Sequence, residues 1–202
     1  EGDAFNELLQ AKSLNNLKSL NFFSKVETEI IDSENRNNKI INITVEEKPT
    51  GEIMAGAGVG TDGGTVQFGV SENNFLGRGI EFSSDVTLSA DTLKGIILLN
   101  NPNYQGSNRS LSTSIESTIT DRLSDYGYKS NKTGFSIGSG FEFYDDLYWN
   151  KGVSAYIEKL DTDSKASASM KKQEGSYFDT FFNQTFSYDK RNQRYKTSSG
   201  YI

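Results

Sequence analysis

The spacing of apolar and polar residues changes character near Pro49-Thr50-Gly51. Before that point Phe5, Leu8, Leu9, Leu17 and Leu20 make an imperfect stripe at helical spacing, which predicts a helix over 5–20. Asn21 follows as a left-handed C-cap, a role Asn takes where Gly is absent. Val26, Thr28 and Ile30 then alternate with polar neighbours, as do Ile41, Ile43 and Val45. The polar run Asp32 to Asn38 between them reads as the turn of a hairpin. Roughly fifty residues make a marginal core, so this small α+β unit is expected to lack a piece.

Beyond Gly51 the period becomes two and stays there. Ile53, Ala55, Ala57 and Val59 alternate with Met54, Gly56, Gly58 and Gly60, and Val66, Phe68 and Val70 with Gln67, Gly69 and Ser71. Ile80, Phe82, Val86 and Leu88 share one face; Glu81, Ser83, Asp85, Thr87 and Ser89 share the other. Leu111, Ile115 and Ile119 oppose Ser112, Ser114, Glu116 and Thr118. Phe135, Ile137, Phe141 and Phe143 oppose Ser136, Gly138, Gly140 and Glu142. The run Ile96 to Leu99 is apolar on both faces, which leaves its orientation open. With 151–160 and 178–188 this makes about eight strands of ~10 residues, the length a tilted strand needs to cross a bilayer.

The connections alternate as well. Those at 62–64, 73–79 and 144–146 are short to moderate, whereas 122–132 and 161–176 are longer and strongly polar. The expected fold class is mainly β: antiparallel transmembrane β-barrel strands forming a partial barrel, preceded by the small α+β unit. Phe82, Val86, Leu88, Ile137 and Phe141 are predicted to face lipid, and Glu81, Asp85, Glu116 and Glu142 the lumen. A slip of one residue would put the carboxylates into hydrocarbon. A soluble β-sandwich gives the same alternation with one face in water and is the competing architecture.

Composition removes most chemistry. The 202 residues are 34% hydrophobic and 24% charged, with a net charge of −6. The absence of Cys and His excludes disulfides, thiolate and imidazole metal ligands, Cys nucleophiles and Ser-His triads within this chain. The acidic balance argues against nucleic acid as a partner. No apolar run approaches the ~20 residues of a membrane helix. The chain opens Glu1-Gly2-Asp3, without Met or an apolar leader, so its first residue is expected to be a processing boundary. It closes on Gly200-Tyr201-Ile202, which reads as the entry to another strand, so the chain is expected to be a fragment.

The remaining candidates favour plain structural roles. Glu46-Glu47 and Asp145-Asp146 are adjacent acids whose side chains diverge in extended chain, so they suit solvated strand ends better than a paired-carboxylate site. Asp161-Thr162-Asp163-Ser164 lacks the following Gly and distal Glu of a calcium loop. Lys165, Lys171 and Lys172 could meet lipopolysaccharide phosphates, but a solvated loop is the favoured reading. The glycine-rich 56–64 stretch has neither the Lys-Ser/Thr ending nor the helix of a phosphate loop. Its glycines supply no cross-strand packing and weaken a strand interior, so this first strand should pair poorly along its free edge. Lumen clearance or a barrel bend is the other use such glycines have. No enzyme activity and no cofactor is expected.

Several segments, in order and spacing across almost the whole chain, carry a family resemblance. Leu20-Asn21-Phe22-Phe23-Ser24-Lys25-Val26 resembles the LGFF-x-x-V passage from helix to strand in the last POTRA domain of BamA-type outer-membrane assembly factors. Val45 to Gly51 is similar to that family's link into its barrel, and Ala57 to Gly64 to its glycine-rich first strand and turn. Asn74-Phe75-Leu76-Gly77-Arg78-Gly79 matches its N-aromatic-L-G-x-G turn after the second strand. Asn101-Pro102-Asn103-Tyr104 is similar to the NPY ending of its fourth strand, with an Asn inserted. Tyr188 through Gly200 resembles its YD-x-R-D … FPT-x-G segment, with Lys196-Thr197 where aromatic-Pro is usual, so that turn is expected to be shaped differently.

The resemblance implies that 1–49 is the C-terminal part of a periplasmic POTRA domain and 50–202 the N-terminal half of a sixteen-stranded outer-membrane barrel. It implies a lateral gate at Met54, Gly56, Ala57, Gly58, Val59 and Gly60, where a client's strand adds to the sheet. Asn74, Leu76, Gly77 and Gly79 would form the family turn. The partners implied are unfolded outer-membrane protein clients, outer-membrane lipids and accessory assembly lipoproteins, with no nucleic acid. A passive eight-stranded barrel or porin-like channel, and a related two-partner secretion pore, are the alternatives.

Overall fold

In the computed structural model the described residues are 4–32, 39–60, 63–191 and 199–202. They divide into two compact units, one drawn from Glu1–Thr50 and Arg191–Gly200, the other from Gly51–Lys190 and Tyr201–Ile202. The first contains helix α1 (Glu7–Ser19) and a hairpin of β1 (Phe23–Asp32) and β2 (Lys39–Glu47). Asn6 starts the helix: its Oδ1 accepts from the backbone N–H groups of Leu8 at 2.9 Å and Leu9 at 3.2 Å, two of the donors a helix leaves unpaired. Asn21 ends it in the left-handed conformation at φ 61°, as its position after the apolar stripe implied. Across the hairpin Val26 faces Val45, Thr28 faces Ile43 and Ile30 faces Ile41. The turn expected over 33–38, Thr61-Asp62 of the glycine turn, and Lys196-Thr197 lie outside the described residues.

The second unit is one antiparallel meander. Strands β3 (Gly51–Gly60), β4 (Gly63–Phe75), β5 (Ile80–Ser89), β6 (Thr92–Asn101), β7 (Arg109–Arg122), β8 (Tyr128–Tyr144), β9 (Leu147–Thr162) and β10 (Gly175–Tyr188) pair in chain order. Each strand neighbours the next, so every connection closes locally. The ladder runs β10 to β3 and, among the described residues, does not close on itself. It is an open sheet with two edge strands.

The later strands are longer than the ~10 residues a membrane crossing requires, β8 reaching 17 and β9 reaching 16. The expected loop over 122–132 is corrected accordingly. Only a short helix, α2 (Leu123–Tyr126), and Gly127 separate β7 from β8, which begins at Tyr128. Residues Tyr128 to Lys132 are polar on both faces, so the period of two that marks a strand is absent there. Lys129 is nonetheless fastened across the ladder to Asp121 at 2.8 Å. The expected turn at 73–79 is likewise shorter, because β4 continues through a bulge to Phe75.

Register assigns the faces. One row crosses the sheet as Phe68, Val86, Gly95, Ser117, Thr133, Ile157 and Phe178; another as Phe82, Leu99, Thr113, Ile137, Val153 and Phe182. On the opposite face Met54, Gly69, Asp85, Ile96, Glu116, Gly134, Tyr156 and Asp179 form a row. The ambiguity of 96–99 is thereby resolved: Ile97 and Leu99 share the apolar face with Val86, and Ile96 and Leu98 lie on the polar one. All five residues predicted to face lipid are on the apolar face and all four acids on the other.

The apolar face is open. Ile115 is 61% exposed, Ile157 62% and Phe178 70%. Among the described residues the apolar side chains that are buried are Leu160 and Ala166, and neither is fully so, at 8% and 7% exposure. A sandwich would cover this face with a second sheet, so the soluble architecture is excluded for the described residues. A contiguous apolar surface of this size suits lipid and not water. Two of its polar members satisfy one another: the Ser117 and Thr133 hydroxyls bond at 2.8 Å.

Packing on the polar face uses glycine as a bed for neighbours. The Tyr156 ring of β9 lies over Gly134, which stands between Tyr156 and Glu116 in the row. A Cβ on Gly134 would strike the Tyr156 ring and lie 2.5 Å from the Ala155 carbonyl oxygen. Gly134→Val should therefore lower stability by about 1–3 kcal/mol, the usual cost of overpacking, measurable as a reduced urea midpoint.

Candidate functional site

Strand β3 holds every residue assigned to the gate. Its ladder partner is β4, with Met54 opposite Gly69, Gly56 opposite Gln67, Gly58 opposite Thr65 and Gly60 opposite Gly63. Its other edge meets no strand among the described residues. All ten positions are exposed. On the polar face Met54 does pack, its terminal methyl lying 3.4 Å from where a Gly69 Cβ would be. At Gly56, Gly58 and Gly60 an added Cβ would meet nothing within 4 Å. Close packing therefore does not demand glycine at these three sites, in contrast to Gly134, Gly138, Gly140 and Gly152, which lie under neighbouring atoms. What the three glycines do is deprive the strand of cross-strand contacts on one face.

The second predicted group is a turn at the other end of β4. Asn74 Oδ1 accepts from Gly79 N–H at 2.7 Å, and the Asn74 carbonyl accepts from Gly77 N–H at 2.9 Å. Leu76, Gly77 and Gly79 are all left-handed, at φ 58°, 67° and 63°, which explains glycine at two of those positions and makes Leu76 the strained one. Phe75 stacks on Phe82 at 5.2 Å and fixes the turn to β5. The gate glycines and this turn lie toward opposite rims, so they do not make one site.

At the rim of longer loops, two connections lock together. Gly127 is left-handed at φ 73°, and its carbonyl accepts from Asp163 N–H at 2.8 Å. Lys165 Nζ donates to the Ser124 carbonyl at 2.8 Å, and Lys171 Nζ to the Ser164 carbonyl at 2.9 Å. Two of the three lysines considered for phosphate contact thus hold loop backbone. Beside them Arg122 donates to Asp91, and that bond holds the Asp91 carboxyl below its ordinary range.

The two rims differ in their outer-face chemistry, which register alone reveals. At the long-loop rim Lys129 pairs with Asp121 and Lys159 with Asp161 at 2.9 Å. At the short-turn rim Arg109, Phe141, Trp149 and Phe186 form one row, with Trp149 stacked on Phe186 at 5.6 Å. Sequence reading passed over this cluster because its members are scattered over four strands. Twelve residues of β7 separate Arg109 from Asp121, about 40 Å along the strand and roughly 30 Å along a barrel axis at ordinary tilt. That is the thickness of a bilayer's hydrocarbon core.

An open antiparallel sheet with one lipid-suited face, banded by aromatics and charges, is the wall of an outer-membrane type of β-barrel. The chain belongs to the Omp85 superfamily, whose domain model matches residues 74–202. It is 26% identical over 208 residues to the outer membrane protein assembly factor BamA of Nitratidesulfovibrio vulgaris, an alignment taking in 100% of this chain and 25% of that protein. Its fold is similar to the crystal structure of BamA from Haemophilus ducreyi lacking POTRA domains 1-3, at TM-score 0.70 and 21% identity. That superposition covers 95% of this chain and 40% of the other. The chain thus spans about a quarter of the length of the curated relative it matches.

Proposed function

We propose that this chain works in outer-membrane protein assembly, as the junction of a periplasmic POTRA-type unit (1–49) and the first barrel strands (50–202). In this reading β3 is a lateral gate: the C-terminal strand of an unfolded client adds to its free edge. The observation that carries the reading is the glycine pattern of β3. Among the described residues a Cβ at Gly56, Gly58 or Gly60 would meet nothing within 4 Å, so packing there does not call for glycine, and the strand is left with few cross-strand contacts on that face. Strand addition draws its affinity from backbone hydrogen bonds, so it tolerates many client sequences. In lipid each unsatisfied backbone group costs several kcal/mol, so an edge left waiting favours capture of an incoming strand. The step needs neither covalent chemistry nor a cofactor. Outer-membrane lipids and accessory assembly lipoproteins complete the set of partners. The rim that carries the longest connection, 163–174, faces the exterior, although the two-residue 90–91 turn shares it. The rim of the 145–146 turn and the seven-residue 102–108 connection faces the periplasm, so loop length does not alternate as the sequence suggested.

The direct test places cysteine at Ala57 of the full-length protein and another in the terminal strand of a client. A crosslink that appears during insertion and decays on release is the expected result. Crosslinking confined to positions on β10 would move the templating edge to the other end of the sheet.

A further inference from the structure

We propose that Arg109 and Lys151, set among Phe141 and Trp149, form a binding site for the phosphate of a bilayer phospholipid in the leaflet at the short-turn rim. The inference rests on the membrane-spanning reading above. Both cations lie on the apolar face: Arg109 is in the row of Phe141 and Trp149, and Lys151 is one row closer to the middle of the sheet, opposite Ser139. The Arg109 guanidinium lies 5.6 Å from the centre of the Phe141 ring. The Lys151 ammonium lies 5.7 Å from the same ring and 4.9 Å from that of Trp149. Two cations therefore flank one ring, and both are exposed.

The argument turns on what these cations lack. At the long-loop rim the outer-face lysines, Lys129 and Lys159, each hold a carboxylate. Arg109 and Lys151 have no carboxylate within salt-bridge distance among the described residues, although the chain is acidic overall. A positive charge at the border of hydrocarbon is costly unless an anion meets it. Here the anion is supplied from outside the protein, at the depth where phospholipid phosphates lie. The rings keep the cations from folding back along the sheet and add cation–π attraction, which is strongest when water is excluded. Arg contributes the planar donor fork suited to phosphate and Lys a mobile point charge. A shallow apolar groove lined by Leu99, Thr113, Ile115, Phe135 and Ile137 lies nearer mid-membrane on the same face. It begins about 13 Å beyond Arg109, at Thr113, and gives the lipid's acyl chains a bed.

The test is native mass spectrometry of the full-length protein in detergent, titrated with phosphatidylglycerol. Arg109→Gln with Lys151→Gln should lower occupancy of the tightest-bound lipid about tenfold. Arg109→Lys with Lys151→Arg should retain it, and Lys94→Gln, which removes a cation from the opposite face, should leave it unchanged. Emission assigned to Trp149 by difference from Trp149→Phe should shift on lipid addition in the wild type and not in the double glutamine variant. Equal occupancy in wild type and the double glutamine variant overturns the proposal, as does equal retention of phosphate-free diacylglycerol. Preference for lipid A over phosphatidylglycerol would assign the site to the other leaflet and overturn it too. Proline substitutions in β3 should not change occupancy, so this site and the gate fail separately.

Discussion

Proline at Ala57 and Val59 together is expected to cut the rate of client insertion at least tenfold while the barrel still assembles. In an antiparallel ladder the N–H and C=O of a residue point to the same side, and that side alternates along the strand. Gly60 and Gly63 close the β3–β4 ladder as a hydrogen-bonded pair, so Gly58 and Gly60 turn their donors toward β4. Ala57 and Val59 then turn theirs to the free edge, where proline deletes two of them without touching the existing ladder. Val59→Ile keeps both the donor and an apolar side chain on the lipid face, and should be silent. Gly58→Val probes a different quantity. Nothing within 4 Å obstructs the new side chain, so the fold should accept it, but β-branching stiffens the strand and should slow opening. Insertion is followed as the gain of protease resistance by a client in proteoliposomes. Wild-type rates for the double proline variant, in a correctly folded protein, would show that clients are templated elsewhere.

Phe135→Arg should destabilise the barrel by about 2–4 kcal/mol, the cost of a cation on the lipid face near the bilayer midplane. Phe135 pairs with Ile115, six residues from Arg109 at one rim and six from Asp121 at the other. Its neighbour Ser136 faces the other way and shares a hydroxyl hydrogen bond with Ser114 at 2.7 Å. Ser136→Arg should cost only about 1 kcal/mol, the net worth of that bond, since the new charge remains in lumen water. Urea titration of refolding into vesicles compares the two. A larger loss at 136 than at 135 would invert the assignment of faces.

Much of this was legible in the residues because a strand buried on one face writes a period of two. Phe82, Val86 and Leu88 against Glu81, Asp85 and Thr87 could be oriented without any structure. The 73–79 connection was readable as a break between strands, and Asn74 to Gly79 as a family motif; that its left-handed positions select glycine and that the Asn side chain is a local acceptor came from the structure. Legibility failed where the periodic signal itself failed. Tyr128 to Lys132 is polar on both faces, so it resembled a loop, although cross-strand partners hold it in β8. The run 96–99 is apolar on both faces, and only its ladder partners Ser84 and Phe82 told Ile97 from Ile96.

The sequence by itself determined the antiparallel strands, which side of β3, β4, β5, β7 and most of β8 is apolar, the helix and its Asn cap, and the absence of Cys and His chemistry. All of these are local: they depend on neighbours within one strand or one helical turn. The tertiary structure decided what depends on register between strands. Among the described residues it paired β3 with β4 alone, placed three glycines of β3 in open space and glycines of β8 and β9 beneath neighbouring atoms, and aligned Arg109, Phe141, Trp149 and Phe186 into one row. Residues tens of positions apart become neighbours only when strands pair, and a pattern read within one strand does not contain the offset between two.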